Sequence, residues 1–393
     1  MNPPRVLFLV EGNTDIRFVT GLCEISSLTM ALPAATYNRG DLKERIRESG
    51  AQLQVDELAG GRILFQFSSL LHVLRRARDF DIILCQEVLR GALSGTLAGA
   101  LTNTPVITYM GISPLEYFRC RRERGQIGPW KAWAGETFIR FLMSSNGALT
   151  TRCLVMGPYL RGISLPYCKR TEIGLYYGVD TELYAPVDDA RRLALRKKLN
   201  LPADKFIIFL SSRISHEKDP ETVLRAAMLA RKNGLDAVVI NLGGGYQDFL
   251  KLGRSLGLEQ PEEWVLGRPA AHPMKDLAEY YQASDCLAQA SLAEGLGLSP
   301  MEALASGIPA VCTAVGGLTT LQGFVRLTPR SDPVAMSREF LWIAANRQLA
   351  RDQALAGCEV VRANWSRKKA FSDLAAVFAQ LAGSGRKLVA EEA

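Results

Sequence analysis

Short apolar runs alternate with helix-like stretches along most of the chain, and this alternation constrains the fold more than any other feature. The runs are nearly continuous in Val, Ile, Leu and Phe, which is typical of parallel strands that are covered on both faces. They lie at residues 5–10, 80–86, 104–110, 205–212, 237–243, 264–267, 285–291 and 308–314. Helical patterns lie at residues 40–49, 218–233, 273–284, 299–306 and 334–348. The alternation predicts an α/β protein of the doubly wound type.

The pattern restarts near the middle of the chain, which indicates two domains. Residues 174–205 have the composition of a connector, since Pro186 and two nearby aspartates precede a charged helix. The 393 residues suffice for two cores of ordinary size. The predicted parts are a first domain at residues 1–185, a second domain at 186–365, and a C-terminal crossover helix and tail at 366–393. We expect the two domains to face each other across a cleft and the last helix to pack back on the first domain.

The cysteines and the hydropathy pattern are those of a cytoplasmic protein. No apolar run approaches the ~18–20 residues of a membrane span, and the first run is too short for a signal peptide. The eight cysteines form no CxxC pair, and no histidine lies near them at metal-binding spacing. We therefore expect reduced, structural thiols and no metal site among them. Because no G-x-G-x-x-G motif follows the first strand, we also expect no bound dinucleotide cofactor.

The positive charge is concentrated in the first part of the chain. Residues 1–170 hold 21 Lys and Arg against 14 Asp and Glu, whereas residues 171–393 hold 26 of each kind, so the whole net charge of +7 lies in the first part. An excess of this kind indicates an anionic partner or surface, or serves only for solubility. No recognisable nucleic-acid-binding module accompanies it, so we expect no nucleic acid partner.

Residues 114–143 combine basic and aromatic side chains more densely than the rest of the chain. The basic residues are Arg119, Arg121, Arg122, Arg124, Lys131 and Arg140, and the aromatic ones are Tyr117, Phe118, Trp130, Trp133, Phe138 and Phe141. This mixture suits an anionic membrane surface or a lipid-linked acceptor, which would place the protein at the cytoplasmic face of a membrane. It equally suits an ordinary core that arginine stems partly cover.

Two glutamates flank a glycine-containing loop in "AEGLGLSPMEALASGIPAV", residues 293–311. Glu294 follows a predicted strand, and ligands of open α/β sheets bind beyond the carboxyl ends of strands. Gly295 and Gly297 permit a close approach of the backbone to a ligand. The helix that follows supplies free N–H groups and partial positive charge, which suit a phosphate.

A purely structural interpretation of the second glutamate also exists. Ser299, Pro300 and Glu302 have the spacing of a capping box, with Ser299 as the N-cap and Glu302 as the third helical residue. This interpretation does not account for Glu294 or for the glycines.

The stretch from Glu294 to Val311 resembles the signature of retaining glycosyltransferases of the GT-B fold, the glycosyltransferase group 1 or family 4-like enzymes. Their two signature glutamates are separated by seven residues, as Glu294 and Glu302 are here. Further segments that resemble the family are "YYGVDTELYAP" (176–186), "LSSRISHEKDPETVLRA" (210–226) and "TAVGGL" (313–318). The resemblance is strong from residue 174 to 320 and weak from 1 to 170. It implies two Rossmann-like domains facing across a cleft.

The resemblance also implies roles for individual residues. Arg213 and Lys218 would hold the donor pyrophosphate and Glu294 the transferred sugar, and these three would be the catalytic residues. Glu302 would bind the ribose hydroxyls. The other implied donor-binding residues are Gly297, Leu298 and Ser299 through their backbone, Gly12, Gly243 and Gly244 at the nucleotide, and Gly267 and Arg268 at the base.

The activity that the resemblance implies is a retaining transfer of a hexose-type sugar. The donor would be a nucleotide diphosphate sugar, the acceptor an unidentified carbohydrate or lipid-linked glycan, and neither a metal nor a nucleophilic carboxylate would be required. The first domain departs from the family: only Gly12 remains of its two glycines, and Met110 stands where many members have a histidine. Glu87 is a candidate replacement for that histidine. The departures leave an alternative, a catalytically impaired donor-binding pseudoenzyme or assembly partner.

Overall fold

The computed structural model describes residues 3–12, 14–39, 42–242, 245–269 and 273–391. The chain divides into two compact units. Unit 1 comprises Met1–Tyr177 and Lys368–Ala393, and unit 2 comprises Gly178–Arg367. Each unit is built on one parallel sheet.

Seven parallel strands form the sheet of unit 1. They are β1 (Arg5–Leu9), β2 (Ser27–Pro33), β3 (Gln54–Leu58), β4 (Ile82–Cys85), β5 (Val106–Met110), β6 (Arg152–Val155) and β7 (Thr171–Ile173). Their order in the sheet is β3-β2-β1-β4-β5-β6-β7. Residues of β1 and β4 pair directly, with Val6 opposite Ile82, and both strands are fully buried apart from Arg5. The continuous apolar runs therefore mark the central strands, as expected.

Eight helices connect these strands. They are α1 (Ile16–Ile25), α2 (Ala34–Arg39), α3 (Leu42–Ser49), α4 (Arg62–Arg76), α5 (Arg90–Thr102), α6 (Pro114–Glu123), α7 (Pro129–Leu149) and α8 (Pro158–Ser164). The chain runs from β1 to one edge at β3 and then from β4 to the other edge at β7. Because parallel crossovers are right-handed, this reversal places helices on both faces of the sheet.

Unit 2 repeats the architecture with six parallel strands. They are β8 (Phe206–Leu210), β9 (Ala237–Leu242), β10 (Val265–Arg268), β11 (Cys286–Gln289), β12 (Ala310–Thr313) and β13 (Arg326–Thr328), in the order β10-β9-β8-β11-β12-β13. Its helices are α9 (Asp189–Lys198), α10 (Pro220–Lys232), α11 (Tyr246–Ser255), α12 (Pro273–Ala283), α13 (Leu298–Ala305), α14 (Pro333–Ala345) and α15 (Arg347–Asn364). The central strand β8 pairs with β9 and β11. The doubly wound prediction is confirmed in both units.

The last helix, α16 (Arg367–Glu391), packs on unit 1. The ring of Phe371 stacks on Phe18 of α1, with ring centroids 6.2 Å apart. A Cβ atom on Gly21 would lie 1.9 Å from the Phe371 ring, so only glycine leaves room for this contact. The expected return of the C-terminal helix to the first domain is thus confirmed.

One predicted helix of unit 2 is divided into two in the structure. The helix predicted at residues 334–348 ends at Ala345, and α15 begins at Arg347 after the intervening Asn346. The Asn346 side chain donates a hydrogen bond to the Trp342 carbonyl oxygen at 2.8 Å, which satisfies one of the terminal carbonyls of α14. Among the residues described, no helix is long and apolar enough to cross a membrane.

Candidate functional site

Glu294 lies on the loop after β11, where three side chains hold its carboxylate. Its Oε2 atom accepts hydrogen bonds from Lys218 Nζ at 2.7 Å, Gln289 Nε2 at 2.7 Å and Ser291 Oγ at 3.0 Å. The Glu294 side chain is only 14% exposed. The buried Gln289 also carries an Oε1 atom that has no hydrogen-bond partner within the described part of the chain. The cluster therefore combines a fixed carboxylate, an ammonium group and an unsatisfied acceptor.

Lys218 reaches Glu294 because β8 and β11 are neighbouring parallel strands whose carboxyl ends meet at one edge of the sheet. A short 3₁₀ turn, His216–Lys218, follows β8, and Asp219 then adopts a left-handed conformation with φ 45° before α10 begins. The backbone N–H of Leu292 donates to the Glu217 carbonyl oxygen at 2.8 Å. This bond ties the lysine turn to the loop that carries Glu294.

Arg213 does not join the Lys218–Glu294 cluster directly. Its guanidinium donates to Glu217 Oε1 at 2.9 Å, and its side chain is 69% exposed. Burial alone would raise the pKa of Glu217, but hydrogen bonds and the charges of Arg213 and Lys218 hold that pKa below its usual range. Sequence reasoning did not single out Glu217, which binds Arg213 through its side chain and the glutamate loop through its carbonyl oxygen.

Helix α13 begins earlier than the capping box requires. Its N-cap is Gly297, in a left-handed conformation with φ 89°, and no side-chain cap bond is made there. Leu298 and Ser299 are therefore the first helical residues, and the interpretation of Ser299 as the N-cap is wrong. The physical reason is that glycine turns the chain into the helix without steric cost. The uncapped start leaves backbone N–H groups of the first turn available to an anion.

Glu302 is buried and anchored by a tyrosine instead of a cap. The Tyr281 hydroxyl of α12 donates to Glu302 Oε2 at 3.0 Å and lies 2.7 Å from Ser211 Oγ at the end of β8. Burial and the nearby Glu302 charge both raise the pKa of Tyr281. Sequence reasoning missed Tyr281 and Ser211, since no local pattern shows that α12, α13 and β8 meet at this point.

The glycines of the loop and of "TAVGGL" fit against each other. A Cβ atom on Gly317 would lie 1.8 Å from the Gly295 carbonyl oxygen, and one on Gly297 would lie 2.3 Å from Leu318 Cδ2. The Gly317 N–H donates to the Glu294 carbonyl oxygen at 3.0 Å. The second glycine segment therefore fixes the backbone of the glutamate loop.

The remaining predicted donor residues are dispersed. A Cβ atom on Gly267 would lie 2.1 Å from the Tyr246 carbonyl oxygen, so this glycine allows β10 to pack against α11. Arg268 is half-buried at the end of β10. Gly12 is exposed in unit 1, with open space where a side chain would be. Gly243 and Gly244 lie outside the described residues.

Unit 1 contains a cavity of about 800 Å³ beyond the carboxyl ends of β1, β4 and β5. Carboxylate, arginine and aromatic side chains line it, among them Glu11, Glu87, Arg90, Tyr109, Tyr117 and Tyr176. Asn146 of α7 donates to the Val88 and Leu89 carbonyl oxygens at 3.0 and 2.7 Å, which fixes the loop after β4. Sequence reasoning had named Gly12 and Glu87 on its lining as site candidates, and Tyr117, Phe118 and Arg121 as candidates for contact with a membrane or a lipid-linked acceptor.

Glu87 has an unusual environment in this cavity. Its Oε1 accepts a hydrogen bond from the Gly91 backbone N–H at 2.6 Å, close to the start of α5. Burial, together with the nearby negative charge of Glu11, raises the pKa of Glu87 despite that bond. Glu11 itself accepts from Arg90 Nε at 2.9 Å, so Arg90 is held by the neighbouring carboxylate.

Within the described part of the chain, no group of three or more His, Cys, Asp or Glu side chains has the arrangement of a metal site. The positive charge at the Glu294 loop comes from Lys218 and the start of α13.

Residues 191–351 match the family model described as glycosyl transferases group 1. The match includes Lys218, the glutamate loop and the "TAVGGL" segment. Similarity to this family is thus shown for residues 191–351, which make up less than half of the chain. The match agrees with the resemblance noted in the glutamate motif and covers most of unit 2.

Curated relatives carry transferase names. D-inositol 3-phosphate glycosyltransferase 1 of Catenulispora acidiphila is 28% identical over 284 residues, which are 69% of this chain and 64% of the relative. D-inositol 3-phosphate glycosyltransferase of Mycobacterium tuberculosis (strain H37Ra) is 36% identical over 146 residues, 36% of this chain and 28% of the relative. The chain thus spans less than two thirds of the length of these curated relatives.

Solved structures share the fold over nearly the whole chain. Anabaena HepE in complex with UDP-glucose has a TM-score of 0.75 at 17% identity and covers 96% of this chain and 100% of its own. Sucrose-phosphate synthase of Thermosynechococcus elongatus has a TM-score of 0.73 at 18% identity and covers 98% and 100%. With its two parallel sheets, the chain has the GT-B fold that the motif implied.

Proposed function

We propose that this protein is a retaining glycosyltransferase that moves a hexose-type sugar from a nucleotide diphosphate donor to a carbohydrate or lipid-linked acceptor. The observation that carries the proposal is the Lys218–Glu294 pair at the carboxyl ends of β8 and β11, in the same unit as the uncapped start of α13. Fixed positive charge near an uncapped helix N-terminus is a favourable environment for a diphosphate.

The donor diphosphate would bind Lys218, Arg213 and the backbone N–H groups of Gly297, Leu298 and Ser299. Negative charge develops on the diphosphate as it leaves, and these groups would stabilise it without the aid of a metal. Arg213 would exchange its exposed contact with Glu217 for the phosphate, at little cost, since an exposed ion pair contributes at most ~1 kcal/mol.

Glu294 would position the transferred sugar. The three donors that hold Glu294 all bond Oε2, so Oε1 is the atom we assign to sugar hydroxyls. The unsatisfied Oε1 of Gln289 belongs to the same cluster and offers a second acceptor for a hydroxyl. A carboxylate bound by an ammonium, an amide and a hydroxyl is a weak nucleophile, which favours positioning over covalent catalysis.

Glu302 would bind the ribose, and the buried Tyr281 would fix its orientation. The roles of Gly267 and Arg268 at the base, and of Gly12, Gly243 and Gly244 around the nucleotide, remain proposals that rest on the resemblance. For Gly267 the tight fit against Tyr246 provides a structural reason of its own.

The cavity of unit 1 is our candidate for the acceptor site. Its aromatic side chains suit the apolar faces of a sugar ring, and its carboxylates suit hydroxyl groups. Glu87 would accept the proton from the attacking hydroxyl, in place of the histidine that many family members carry. We place the protein in the cytoplasm, with its work on a lipid-linked acceptor carried out at the membrane face.

Thermal unfolding with UDP, GDP, ADP and dTDP, each with and without EDTA, tests the donor site. UDP is the first choice, since a protein of the same fold binds UDP-glucose. A ligand at 100 times its dissociation constant adds about 2.7 kcal/mol of stability. We expect one nucleotide to stabilise the protein equally with and without EDTA, and Lys218→Ala to abolish the effect. Arg225→Ala, which removes an exposed arginine paired with Glu221, is the matched control and should leave the shift intact.

A measurement of sugar transfer separates the enzyme from the alternative. Stabilisation by a nucleotide without release of nucleotide diphosphate from any donor sugar would favour the pseudoenzyme or assembly partner. No stabilisation by any of the four nucleotides would contradict the proposed donor site.

A further inference from the structure

Three neighbouring helices of unit 1 expose apolar side chains that no described residue of the chain covers. The exposed residues are Leu64, Phe67, Leu71 and Leu74 on α4, Leu97 and Leu101 on α5, and Trp130, Trp133, Phe138 and Phe141 on α7. Phe67 is 64% exposed, Leu101 73% and Trp130 73%. We call these ten side chains the outer apolar face of unit 1.

The opposite sides of α4 and α5 pack on the sheet. Phe65 and Val73 of α4 and Ala98 of α5 lie in one apolar core with strand residues of β1 and β4. Since one side of each helix is buried against the sheet, the exposed apolar residues on the opposite side point away from the sheet.

Side-chain hydrogen bonds join the three helices into one layer. Ser69 Oγ of α4 donates to Ser94 Oγ of α5 at 2.8 Å. Thr96 Oγ1 of α5 donates to Asn146 Oδ1 of α7 at 2.8 Å. The outer apolar face is therefore carried by adjacent elements of one layer. A soluble chain rarely leaves an apolar surface of this extent without a partner.

The exposed charges at the border of this face are mostly basic, with Glu123 as an acidic residue among them. Exposed basic residues beside it are Arg75 on α4, Arg121, Arg122 and Arg124 at the end of α6, and Lys131 and Arg140 on α7. Glu136 is engaged by Arg122 at 3.1 Å and by Arg119 at 3.6 Å, so its charge is already compensated. The border therefore complements an anionic surface.

A hollow of about 480 Å³ opens among these basic side chains. Arg122, Trp133, Glu136 and Arg140 contribute to its lining. The indole rings of Trp130 and Trp133 stack beside it with centroids 5.1 Å apart. Arginine next to exposed indole is the combination that the boundary between lipid headgroups and acyl chains favours, since one group meets phosphate and the other meets hydrocarbon.

We propose that the outer apolar face of unit 1 docks onto an anionic lipid bilayer. Trp130, Trp133 and the neighbouring apolar side chains enter the boundary between headgroups and acyl chains, and Arg122 and Arg140 pair with lipid phosphates. A second copy of the chain is a poorer occupant, because pairing two such faces opposes two basic borders.

The docked helix α7 also lines the acceptor cavity through Ile139, as does the neighbouring α6 through Tyr117 and Phe118. A lipid-linked acceptor would then reach the cavity from the bilayer to which the protein is bound. This last step alone rests on the proposed function. The docking surface stands on its own observations.

Co-sedimentation with vesicles tests the proposal. We expect the full chain to sediment with phosphatidylcholine vesicles that contain 30% phosphatidylglycerol and to stay in solution with phosphatidylcholine alone. Trp130→Ala combined with Trp133→Ala should reduce the bound fraction about tenfold. Leu193→Ser combined with Leu349→Ser removes two side chains of unit 2 that are each 52% exposed, and this control should bind as the unchanged protein does.

Vesicles with brominated acyl chains test the depth of the contact. They should quench tryptophan fluorescence, and Trp130→Phe combined with Trp133→Phe, which keeps two aromatic rings, should retain binding but lose most of the quenching. Nucleotide stabilisation of each variant reports on folding and on the donor site separately from vesicle binding. Absence of sedimentation with anionic vesicles, or sedimentation that Trp130→Ala and Trp133→Ala leave unchanged, would overturn the proposal. Light scattering that shows a dimer lost in the same variant, without vesicle binding, would assign the face to a second copy instead.

Discussion

The two units share one architecture but present different surfaces. Among the described residues, thirteen of the seventeen large apolar side chains that are exposed belong to unit 1, and four belong to unit 2. The whole net charge of +7 also lies in residues 1–170. Unit 2 instead pairs its polar groups at the carboxyl edge of its sheet, around Glu294 and Glu302. In both units the parallel sheet thus places the candidate ligand site at its strand ends, while the exposed helix faces differ between the units.

Among variants of the two units, Glu294→Ala in unit 2 should have the largest effect, which is a loss of turnover. The variant removes the acceptor that positions the sugar, so we expect turnover to fall about a hundredfold. Nucleotide affinity should stay near that of the unchanged protein, because Lys218 remains. Steady-state kinetics with the donor identified by thermal unfolding provides the measurement.

The control for this prediction is Glu221→Ala, which removes an exposed glutamate of unit 2 that pairs with Arg225. Its turnover should be unchanged. A turnover number of Glu294→Ala equal to that of the control would remove the sugar-positioning role.

The corresponding test in unit 1 is Glu87→Gln. A proton acceptor contributes at least ~100-fold, so we expect a loss of that order with little change in donor affinity. Burial raises the folded-state pKa of Glu87, so the carboxylate that accepts the proton forms only as pH rises past that raised pKa. The acid limb of the pH–rate profile should therefore lie above the ordinary carboxyl range and disappear in the variant.

Glu87 should change the pH dependence of folding stability in the direction opposite to that of most carboxylates. Because the folded-state pKa is the higher one, Glu87 contributes stability below its unfolded pKa, and this contribution is lost as pH rises through the folded pKa. Glu87→Gln should accordingly flatten this part of the stability–pH curve. Glu123→Gln, at the exposed end of α6, should change neither curve. A rate profile of Glu87→Gln that keeps its acid limb would exclude Glu87 as the proton acceptor.

The sequence predicted unit 2 better than unit 1 for a physical reason. Lys218 and Glu294 lie on the loops that follow the neighbouring buried strands β8 and β11, so strand order brings them to one edge of the sheet. The part of the outer apolar face on α7 was indicated by the basic and aromatic stretch at residues 114–143, but the part on α4 had no such signal. "RILFQFSSLLHVLRR" is apolar on two sides of helix α4, and a pattern of that kind cannot distinguish a buried helix from one with an exposed apolar stripe. Strand β2, "SLTMALP", was missed because it lacks a continuous run of β-branched residues.

Contacts at the candidate site between elements that are distant in sequence could not be predicted either. Glu302 was assigned either to ribose or to a helix cap from its spacing, yet its partner Tyr281 comes from α12, twenty-one residues earlier. Nothing in the local sequence of Tyr281 shows that α12 packs beside α13. The glycine fit between Gly317 and Gly295 is likewise visible only in three dimensions.

A smaller effect is expected from Tyr281→Phe, which tests how unit 2 holds Glu302. The change leaves the buried carboxylate without one donor and Ser211 without its hydroxyl partner, so unfolding free energy should fall by about 1–3 kcal/mol. Nucleotide affinity should fall as well, because Glu302 then loses one of the contacts that fix its orientation. Tyr246→Phe, at an exposed hydroxyl of α11, is the control and should alter neither quantity. Unchanged affinity together with lower stability would restrict Tyr281 to a structural role.

The smallest effect is expected from Ser299→Ala, and it discriminates between the observed start of α13 and the capping box. A serine that caps a helix contributes about 1 kcal/mol, whereas Ser299 lies inside the helix that Gly297 begins. We therefore expect a loss below ~0.5 kcal/mol, measured by urea unfolding. Asp188→Ala is the matched comparison, because Asp188 Oδ1 accepts from the Arg191 N–H at 2.7 Å as a true N-cap of α9, and it should cost about 1 kcal/mol. Equal losses in the two variants would restore Ser299 as a cap and would leave the start of α13 less open to a phosphate than its geometry indicates.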